Sequence, residues 1–243
     1  MHYQWNWRIF GELSPDGVRP YWQTLLDGLG WTLATSLAGW AMALALGFAI
    51  GAMRTLPSPW LRRLGTAYVE LFRNIPLLVQ MFLWYFVVPE VLPPALGDRL
   101  KALPDAPFVT AVVCLGFFTS ARVAVQVTAG IAALAGGQRL AAMALGLRLP
   151  QSYRHVLLPL ALRSIVPPLT SEFLNIIKNS SVALTIGLME LTASARALQE
   201  FSFQVFEAFT AATAIYVLVN LLVTAAMHRL ERRLALPGTL GER

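Results

Sequence analysis

The chain has 243 residues, of which 56% are hydrophobic and 13% charged, and its formal net charge is +6. Average soluble proteins carry about 25% charged residues, so this composition excludes an ordinary soluble domain and indicates an integral membrane protein. The basic balance does not indicate nucleic-acid binding, because the lysines and arginines lie beside apolar runs and form no soluble basic patch.

Apolar runs long enough to cross a hydrocarbon core of about 30 Å recur along the chain. Residues 1–22 mix tryptophan and tyrosine with charged residues and predict an external interfacial arm. A single transmembrane domain at 23–233 and a cytoplasmic tail at 234–243 follow. The sequence predicts an all-α polytopic membrane protein with five transmembrane helices. These spans are expected at about 25–53, 64–88, 108–134, 156–177 and 206–227.

Prolines and a polar run interrupt the fourth predicted span. Pro159, Pro167 and Pro168 each lack a backbone donor, so we expect them to bend this helix or to end a first short one. A polar run follows, and the apolar stretch 182–191 after it is too short to span. We therefore predict a broken helix near residues 178–191, with a re-entrant or interfacial segment that is buried in protein or lines a cavity.

The distribution of lysine and arginine predicts the orientation of the chain. Cytoplasmic loops of membrane proteins are enriched in these residues. The richer side holds the loop after the first span, the loop after the third span and the C-terminus, which places the N-terminus outside. The residues assigned to the cytoplasmic side are Arg54, Arg62, Arg63, Arg139, Arg148, Arg154, Arg229, Arg232, Arg233 and Arg243.

The loop after the third span contains a short alanine-rich and glycine-rich segment that begins at Gln138 and Arg139. It predicts a short cytoplasmic helix with a nearly bare face, which another protein could approach closely. The alternative is an ordinary turn whose alanines merely favour helix.

Two further segments carry a family resemblance. Residues 70–80 read ELFRNIPLLVQ, and residues 165–181 read IVPPLTSEFLNIIKNSS. Both resemble signatures of ABC-transporter permeases for polar amino acids, and the loop at about 137–155 resembles the cytoplasmic coupling loop of the same family. The resemblance extends over about residues 20–232 and is greatest to glutamate/aspartate permeases. One departure is Leu140, where the family usually has glutamate.

The resemblance implies a type I ABC importer permease in a bacterial inner membrane. It implies two cytoplasmic ATPase subunits docked on the coupling loop, a second permease subunit that is paralogous or identical, and a periplasmic solute-binding protein. ATP and magnesium would belong to the ATPase, with no cofactor in this chain. The coupling residues implied are Gln138, Arg139, Ala141, Ala142, Gly146 and Leu147.

The sequence offers no enzymatic site. It contains no phosphate-binding G-x-x-x-x-G-K-[ST] loop, and its histidines, His2, His155 and His228, lack metal-ligand spacing. We therefore expect a transport subunit that neither catalyses a reaction nor binds a metal.

Ionisable residues at membrane depth are costly and mark candidate sites. Glu70 and Arg73, three residues apart on a helix, are close enough to form a local pair with a structural or a transport role. With these two, the resemblance implies structural or gating roles for Pro76, Gln80, Pro167 and Pro168. The other ionisable candidates are Arg122, Arg163, Glu172 and Lys178.

Arg122 is the sharpest candidate, because it lies midway along the third predicted span. A guanidinium there can bind a carboxylate through two hydrogen bonds, so we hypothesise that Arg122 recognises an acidic substrate. The alternative is a structural pair with Glu172. The remaining candidate substrate-binding residues are Glu172 and, at the broken helix, Asn175, Lys178, Asn179 and Ser180.

The leading interpretation is thus the permease subunit of an ATP-driven importer for polar amino acids, with glutamate and aspartate favoured over glutamine and asparagine. Docked ATPases would drive alternating access by rigid-body motion. One alternative is an ion-coupled secondary carrier, which five spans without a clear internal repeat make awkward. Another is a membrane scaffold that transports nothing.

Overall fold

The computed structural model describes residues 3–134 and 136–234, and these residues are almost entirely helical. The tail at 235–243 and the side chains of Gly136, Arg139, Arg163 and Leu234 lie outside the description. The first six helices are α1 (Tyr21–Met53), α2 (Pro59–Asn74), α3 (Leu77–Phe82), α4 (Val88–Val91), α5 (Pro94–Lys101) and α6 (Ala106–Ala132). The next five are α7 (Gly136–Ala144), α8 (Leu149–Ser152), α9 (Leu158–Asn179), α10 (Leu191–Ser202) and α11 (Val205–Leu234).

Four shorter helical turns complete the chain path. Two π turns, Leu83–Val87 and Tyr153–Leu157, join α3 to α4 and α8 to α9. Two 3₁₀ helices, Trp7–Gly11 and Ser180–Ile186, lie in the N-terminal arm and after α9. The only extended pairing in the described residues is an isolated bridge between Leu13 and Pro20.

Among the described residues, three helices are long and apolar enough to cross a membrane, namely α1, α6 and α11. Two bent helix pairs raise the number to five if each pair is one span. The predicted all-α membrane fold is confirmed, and the five predicted spans are compatible with it.

The second predicted span is not one straight helix. α2 and the segment Leu77–Val91 meet at 100°. Ile75 between them is extended, with φ −94° and ψ 127°, because the residue before a proline is sterically pushed out of the helical region. Pro76 then caps α3. The span predicted at about 64–88 therefore corresponds to a bent pair of helices.

The fourth region contains the predicted break near residues 178–191, but two details differ from the prediction. Pro167 and Pro168 lie inside α9, which runs unbroken to Asn179, so these prolines do not end a helix. At the polar run 178–181 the α-helix passes into the 3₁₀ helix Ser180–Ile186, so the helical path continues through this run. The change of direction, 50°, comes between Ile186 and Leu191, and the short helix beyond it is α10.

The described chain divides into two compact units that are not separate stretches of sequence. Unit 1 comprises Met1–Trp40, Pro76–Leu115 and Asn175–Leu222, and unit 2 comprises Ala41–Ile75, Gly116–Leu174 and Val223–Arg243. The helices α1, α6, α9 and α11 each contribute to both. The domain boundaries expected at residues 22 and 233 stay a prediction.

Unit 1 is organised around a buried carboxylate. Glu190 has no exposed surface and caps α10 by accepting hydrogen bonds from the backbone N–H groups of Thr192 (2.9 Å) and Ala193 (2.8 Å). The Tyr216 hydroxyl of α11 donates to its Oε2 at 2.9 Å, and Thr32 of α1 accepts from the Leu191 N–H at 3.1 Å. Glu190 thus ties α10 to α11, and Thr32 ties α10 to α1.

A hydrophobic cluster surrounds this part of unit 1 and includes the N-terminal arm. Its buried members are Ile9, Tyr21, Leu25, Leu191, Ala195, Leu198, Ala208 and Ala212. The arm is fixed further by Glu207 at the start of α11, which accepts hydrogen bonds from the Tyr3 hydroxyl and, at 2.6 Å, from the Asn6 N–H.

Candidate functional site

Arg122 of α6 and Glu172 of α9 face each other within unit 2. The Arg122 Nη1 lies 4.0 Å from the Glu172 Oε2, and the guanidinium lies 5.0 Å from the centre of the Phe118 ring, one helical turn earlier. The Arg122 side chain is 44% exposed, whereas that of Glu172 is 11% exposed. The alternative pairing considered from the sequence is therefore present, but it is long for an ion pair.

The long distance leaves hydrogen-bonding capacity unused. The buried Glu172 Oε2 has no hydrogen-bond partner among the described residues. A guanidinium has five N–H donors, and an arginine held by a ring and a distant carboxylate keeps donors for another anion. Phe118 was not singled out from the sequence, although its position four residues before Arg122 places it on the same helix face.

One face of α9 is polar and exposed. In the part of α9 that belongs to unit 2, Ser164 and Ser171 are exposed seven residues apart, with Pro167 between them. This interval places the two serines on one side of the helix. Polar side chains at membrane depth face a protein partner or a water-filled cavity and not lipid. This face of α9 is therefore the candidate wall of a path or of a subunit interface.

The other predicted substrate residues belong to unit 1. Lys178 is exposed there, and Asn175 and Asn179 are half-buried. Ser180 is fully buried, and its hydroxyl donates to the Ile177 carbonyl at 2.8 Å. Because that hydroxyl is engaged by the helix backbone, Ser180 stabilises the end of α9 and offers no donor to a substrate.

The predicted local pair on α2 is not formed. Glu70 accepts a hydrogen bond from the Asn74 Nδ2 at 3.1 Å, and among the described residues no ion pair joins it to Arg73. Both side chains are exposed. Gln80, in contrast, is 2% exposed in unit 1.

Arg54, just after α1, is a site residue that the sequence reasoning missed. Burial has the largest effect on the pKa of Arg54 and lowers it. The charge of Glu70 raises this pKa, and the charge of Arg73 lowers it further. Its Nη1 lies 3.4 Å from the Thr128 Oγ1, and its buried Nε has no hydrogen-bond partner among the described residues. Glu70 and Arg73 therefore both influence the pKa of the Arg54 guanidinium. The signal available in the sequence was its position directly after the first predicted span.

The predicted coupling helix exists as α7. Gln138 and Ala141 are exposed on it, whereas Ala142 is 2% exposed and packs into the chain. The side chain of Arg139 lies outside the description. Gly146 follows in the left-handed region, with φ +81°, and redirects the chain toward half-buried Leu147.

The exposed surface of this segment is apolar and not bare. The large exposed side chains are Leu140 at 64%, Met143 at 54% and Leu145 at 81%. Three such side chains on a segment that begins and ends with polar residues form a surface suited to another protein. We call Leu140, Met143 and Leu145 the apolar coupling patch.

Residues 37–236 match the family described as binding-protein-dependent transport system inner membrane component. The chain belongs to this family. It is also 47% identical, over 99% of both chains, to the glutamate/aspartate import permease protein GltJ of Escherichia coli strain K12. The probable glutamine ABC transporter permease protein GlnM of Bacillus subtilis strain 168 is 34% identical over 86% of this chain and 92% of its own length.

Solved structures agree with the family assignment. A crystal structure of an amino acid ABC transporter with histidines superposes with a TM-score of 0.73 at 29% identity, covering 88% of this chain and 95% of the other. An inward-facing MetNI methionine ABC transporter gives a TM-score of 0.75 at 19% identity, which shows the fold alone.

The chain is therefore a multi-pass inner-membrane permease subunit of an ABC importer. ATP hydrolysis belongs to a separate subunit, and the permease works with an ATPase, a binding protein and a second permease. The predictions of family, transport role and membrane location are confirmed.

Proposed function

We propose that this permease imports acidic amino acids, glutamate and aspartate, and that Arg122 recognises the acidic side chain in transit. The assignment of Arg122 to the substrate site is supported by its geometry, because its side chain is partly exposed and only weakly paired with Glu172. The substrate class is supported by the relative named for glutamate/aspartate import, which matches this chain over 99% of its length. An acidic side chain can accept two charge-assisted hydrogen bonds from the Arg122 guanidinium, whereas a neutral amide carries no charge to pair with it.

The proposed assembly has two ATPase subunits, one paralogous permease partner and a periplasmic solute-binding protein. The ATPases dock on the apolar coupling patch and its neighbours Gln138 and Ala141, and they hold the ATP and magnesium. The N-terminal arm is periplasmic and the C-terminus cytoplasmic, in line with the excess of arginine in the loops after α1 and α6.

ATP binding closes the ATPases, moves α7 as a rigid body and opens the path outward. The path runs along the exposed polar face of α9, and Asn175, Lys178 and Asn179 supply further donors. Pro76, Pro167 and Pro168 shape the helices that gate it, and Glu70, Arg73 and Gln80 support them.

The test is ATP-driven uptake by the assembled transporter in proteoliposomes with its binding protein. We expect uptake of labelled glutamate and aspartate and little uptake of glutamine. Arg122→Gln should abolish acidic uptake while the subunits still copurify, and Arg196→Gln, at an exposed arginine paired with Glu200 on α10, is the matched control.

Two outcomes would contradict different parts of the proposal. Normal glutamate uptake by the Arg122→Gln transporter removes Arg122 from the site and leaves the substrate class standing. Uptake of neutral amino acids in place of glutamate by the unaltered transporter overturns the substrate class itself.

A further inference from the structure

Unit 1 contains a cavity that the transport mechanism does not use. Its volume is about 530 Å³, and it lies between the segment Leu77–Val91, helix α5 and the first turns of α6. Cavities that hold small molecules or cofactors have volumes of about 300–1,000 Å³. This one is therefore large enough for a substantial apolar ligand.

The lining of the cavity is mainly apolar and aromatic. Typical wall residues are Trp84, Phe86, Val88, Leu103, Val109 and Val113. The aromatic wall comes from the π turn Leu83–Val87, which widens the helix where the cavity lies. π turns are often found at functional sites.

The opposite wall depends on a close backbone contact. A Cβ on Gly97 of α5 would lie 2.1 Å from the Pro89 carbonyl oxygen, so only glycine lets α5 pack this closely on α4. Gly97 is buried. The cavity is thus a built feature of the fold between α4, α5 and α6.

The cavity has one pair of charged residues. The Lys101 Nζ lies 2.7 Å from the Glu90 Oε1, and both residues line the cavity. Their side chains are 46% and 67% exposed, which places the pair at the opening and not in the interior. The hydrogen bond to Glu90 raises the pKa of Lys101, so this amine stays charged.

The position of the cavity along the chain indicates what surrounds it. Val109 and Val113 belong to the first turns of α6, a candidate membrane span. Glu90 is the second-last residue of the segment Leu77–Val91, part of a bent candidate span, and Lys101 ends α5, before α6 begins. An apolar cavity at the start of a span with charges at its opening matches the boundary between acyl chains and lipid headgroups.

We propose that this cavity binds one acyl chain of a zwitterionic phospholipid with a primary ammonium headgroup. The ammonium meets the Glu90 carboxylate and the phosphate meets the Lys101 amine, so each charge of the headgroup has a partner of opposite sign. A lipid with only anionic charge would engage Lys101 through its phosphate and would leave the Glu90 carboxylate without a cation. The proposal depends on the membrane location of the chain and not on its substrate.

The test is native mass spectrometry of the assembled, delipidated transporter with phosphatidylethanolamine or phosphatidylglycerol of the same acyl chains. We expect one retained lipid per copy of this chain and a preference for phosphatidylethanolamine of roughly threefold to fivefold, the size expected for exposed ion pairs. Glu90→Gln and Lys101→Gln should remove that preference and leave general retention.

The cavity itself is tested by Val109→Trp, whose indole would occupy part of the cavity and obstruct an acyl chain, with Val91→Trp as the control. Val91 is 73% exposed and does not line the cavity. We expect at least roughly tenfold weaker lipid retention for Val109→Trp, about 1.4 kcal/mol, and unchanged retention for the control. Equal retention by the two variants, or a preference for phosphatidylglycerol, overturns the proposal.

A second measurement does not depend on how the Val109→Trp variant folds. Phosphatidylethanolamine with brominated acyl chains should quench the fluorescence of Trp84 in the otherwise unaltered transporter. The quenched component is the part of the signal that disappears in Trp84→Phe. If the brominated lipid reduces the fluorescence of Trp84→Phe and of the unaltered transporter by the same absolute amount, the acyl chain does not enter the cavity.

Discussion

Gly47 of α1 and Val123 of α6 pack so closely in unit 2 that a Cβ on Gly47 would lie 2.5 Å from the Val123 Cβ. Gly51 and Val127 repeat the contact one turn later, with a corresponding distance of 2.6 Å. Glycines four residues apart share a helix face and let two membrane helices approach closely. This seam holds α1 against α6, the helix that carries Arg122.

Substituting Gly47 with alanine should destabilise the protein by about 1–3 kcal/mol, because the added methyl group overpacks the seam. The measurement is the melting temperature of the purified transporter in detergent. Gly30→Ala, in the same helix, is the control, since a Cβ there meets nothing within 4 Å. Alanine favours helix over glycine, so the control should melt at the same temperature or higher. Equal melting of the two variants would disprove the tight seam.

Glu190→Ala should destabilise unit 1 by about 1–3 kcal/mol, because it removes the cap of α10 and leaves the Tyr216 hydroxyl without its acceptor. The control is Glu200→Ala on the same helix, whose carboxylate makes an exposed pair with Arg196 and should contribute little. Thermal melting in detergent compares them. A Glu190→Ala protein as stable as the control would show that the buried carboxylate does not stabilise the junction.

Glu172→Gln should lower the KM for glutamate by roughly threefold to fivefold, because the substrate then no longer competes with a fixed carboxylate for Arg122. The half-exposed Arg122 limits the effect to about 1 kcal/mol. Initial uptake rates in proteoliposomes measure it, with melting temperature followed in parallel. A lower melting temperature with an unchanged KM would instead identify the pair as purely structural.

Replacing Met143 and Leu145 together by alanine should release the ATPase subunits, because both side chains are exposed on the apolar coupling patch. We expect loss of the ATPase during purification and loss of substrate-stimulated ATP hydrolysis, with an unchanged melting temperature of the permease. Leu218→Ala and Leu222→Ala on α11, at similarly exposed positions, form the control pair. Full ATPase retention by the coupling variant would show that docking uses other residues.

The membrane class, the helical fold and the family can be read from the amino-acid sequence alone. Apolar runs separated by charged loops leave few alternatives for a chain in lipid, because every backbone group must be satisfied within a helix. The motif at 70–80 and the polar run at 178–181 then identified the kind of permease. Arg122 was recognisable as a candidate because a charge midway along a span is costly.

Only the folded chain reveals where the helices bend and which side chains are accessible. The span predicted at 64–88 is a pair of helices that meet at 100°, and the steric restriction on Ile75 before Pro76 explains the break. Pro167 and Pro168 were expected to bend a helix or to end a first short one, and α9 continues through them. At these two positions tertiary context outweighs the tendency of proline to end a helix.

Availability of a side chain depends on packing in the same way. Ala141 and Ala142 are neighbouring alanines, but only Ala142 is buried. The Ser180 hydroxyl donates a hydrogen bond to the backbone of α9. The 4.0 Å separation of Arg122 from Glu172 and the close contact of Gly97 with Pro89 join residues from different helices. Such distances arise only when the helices pack together, so they cannot be predicted from the periodicity or the motif spacing of the sequence.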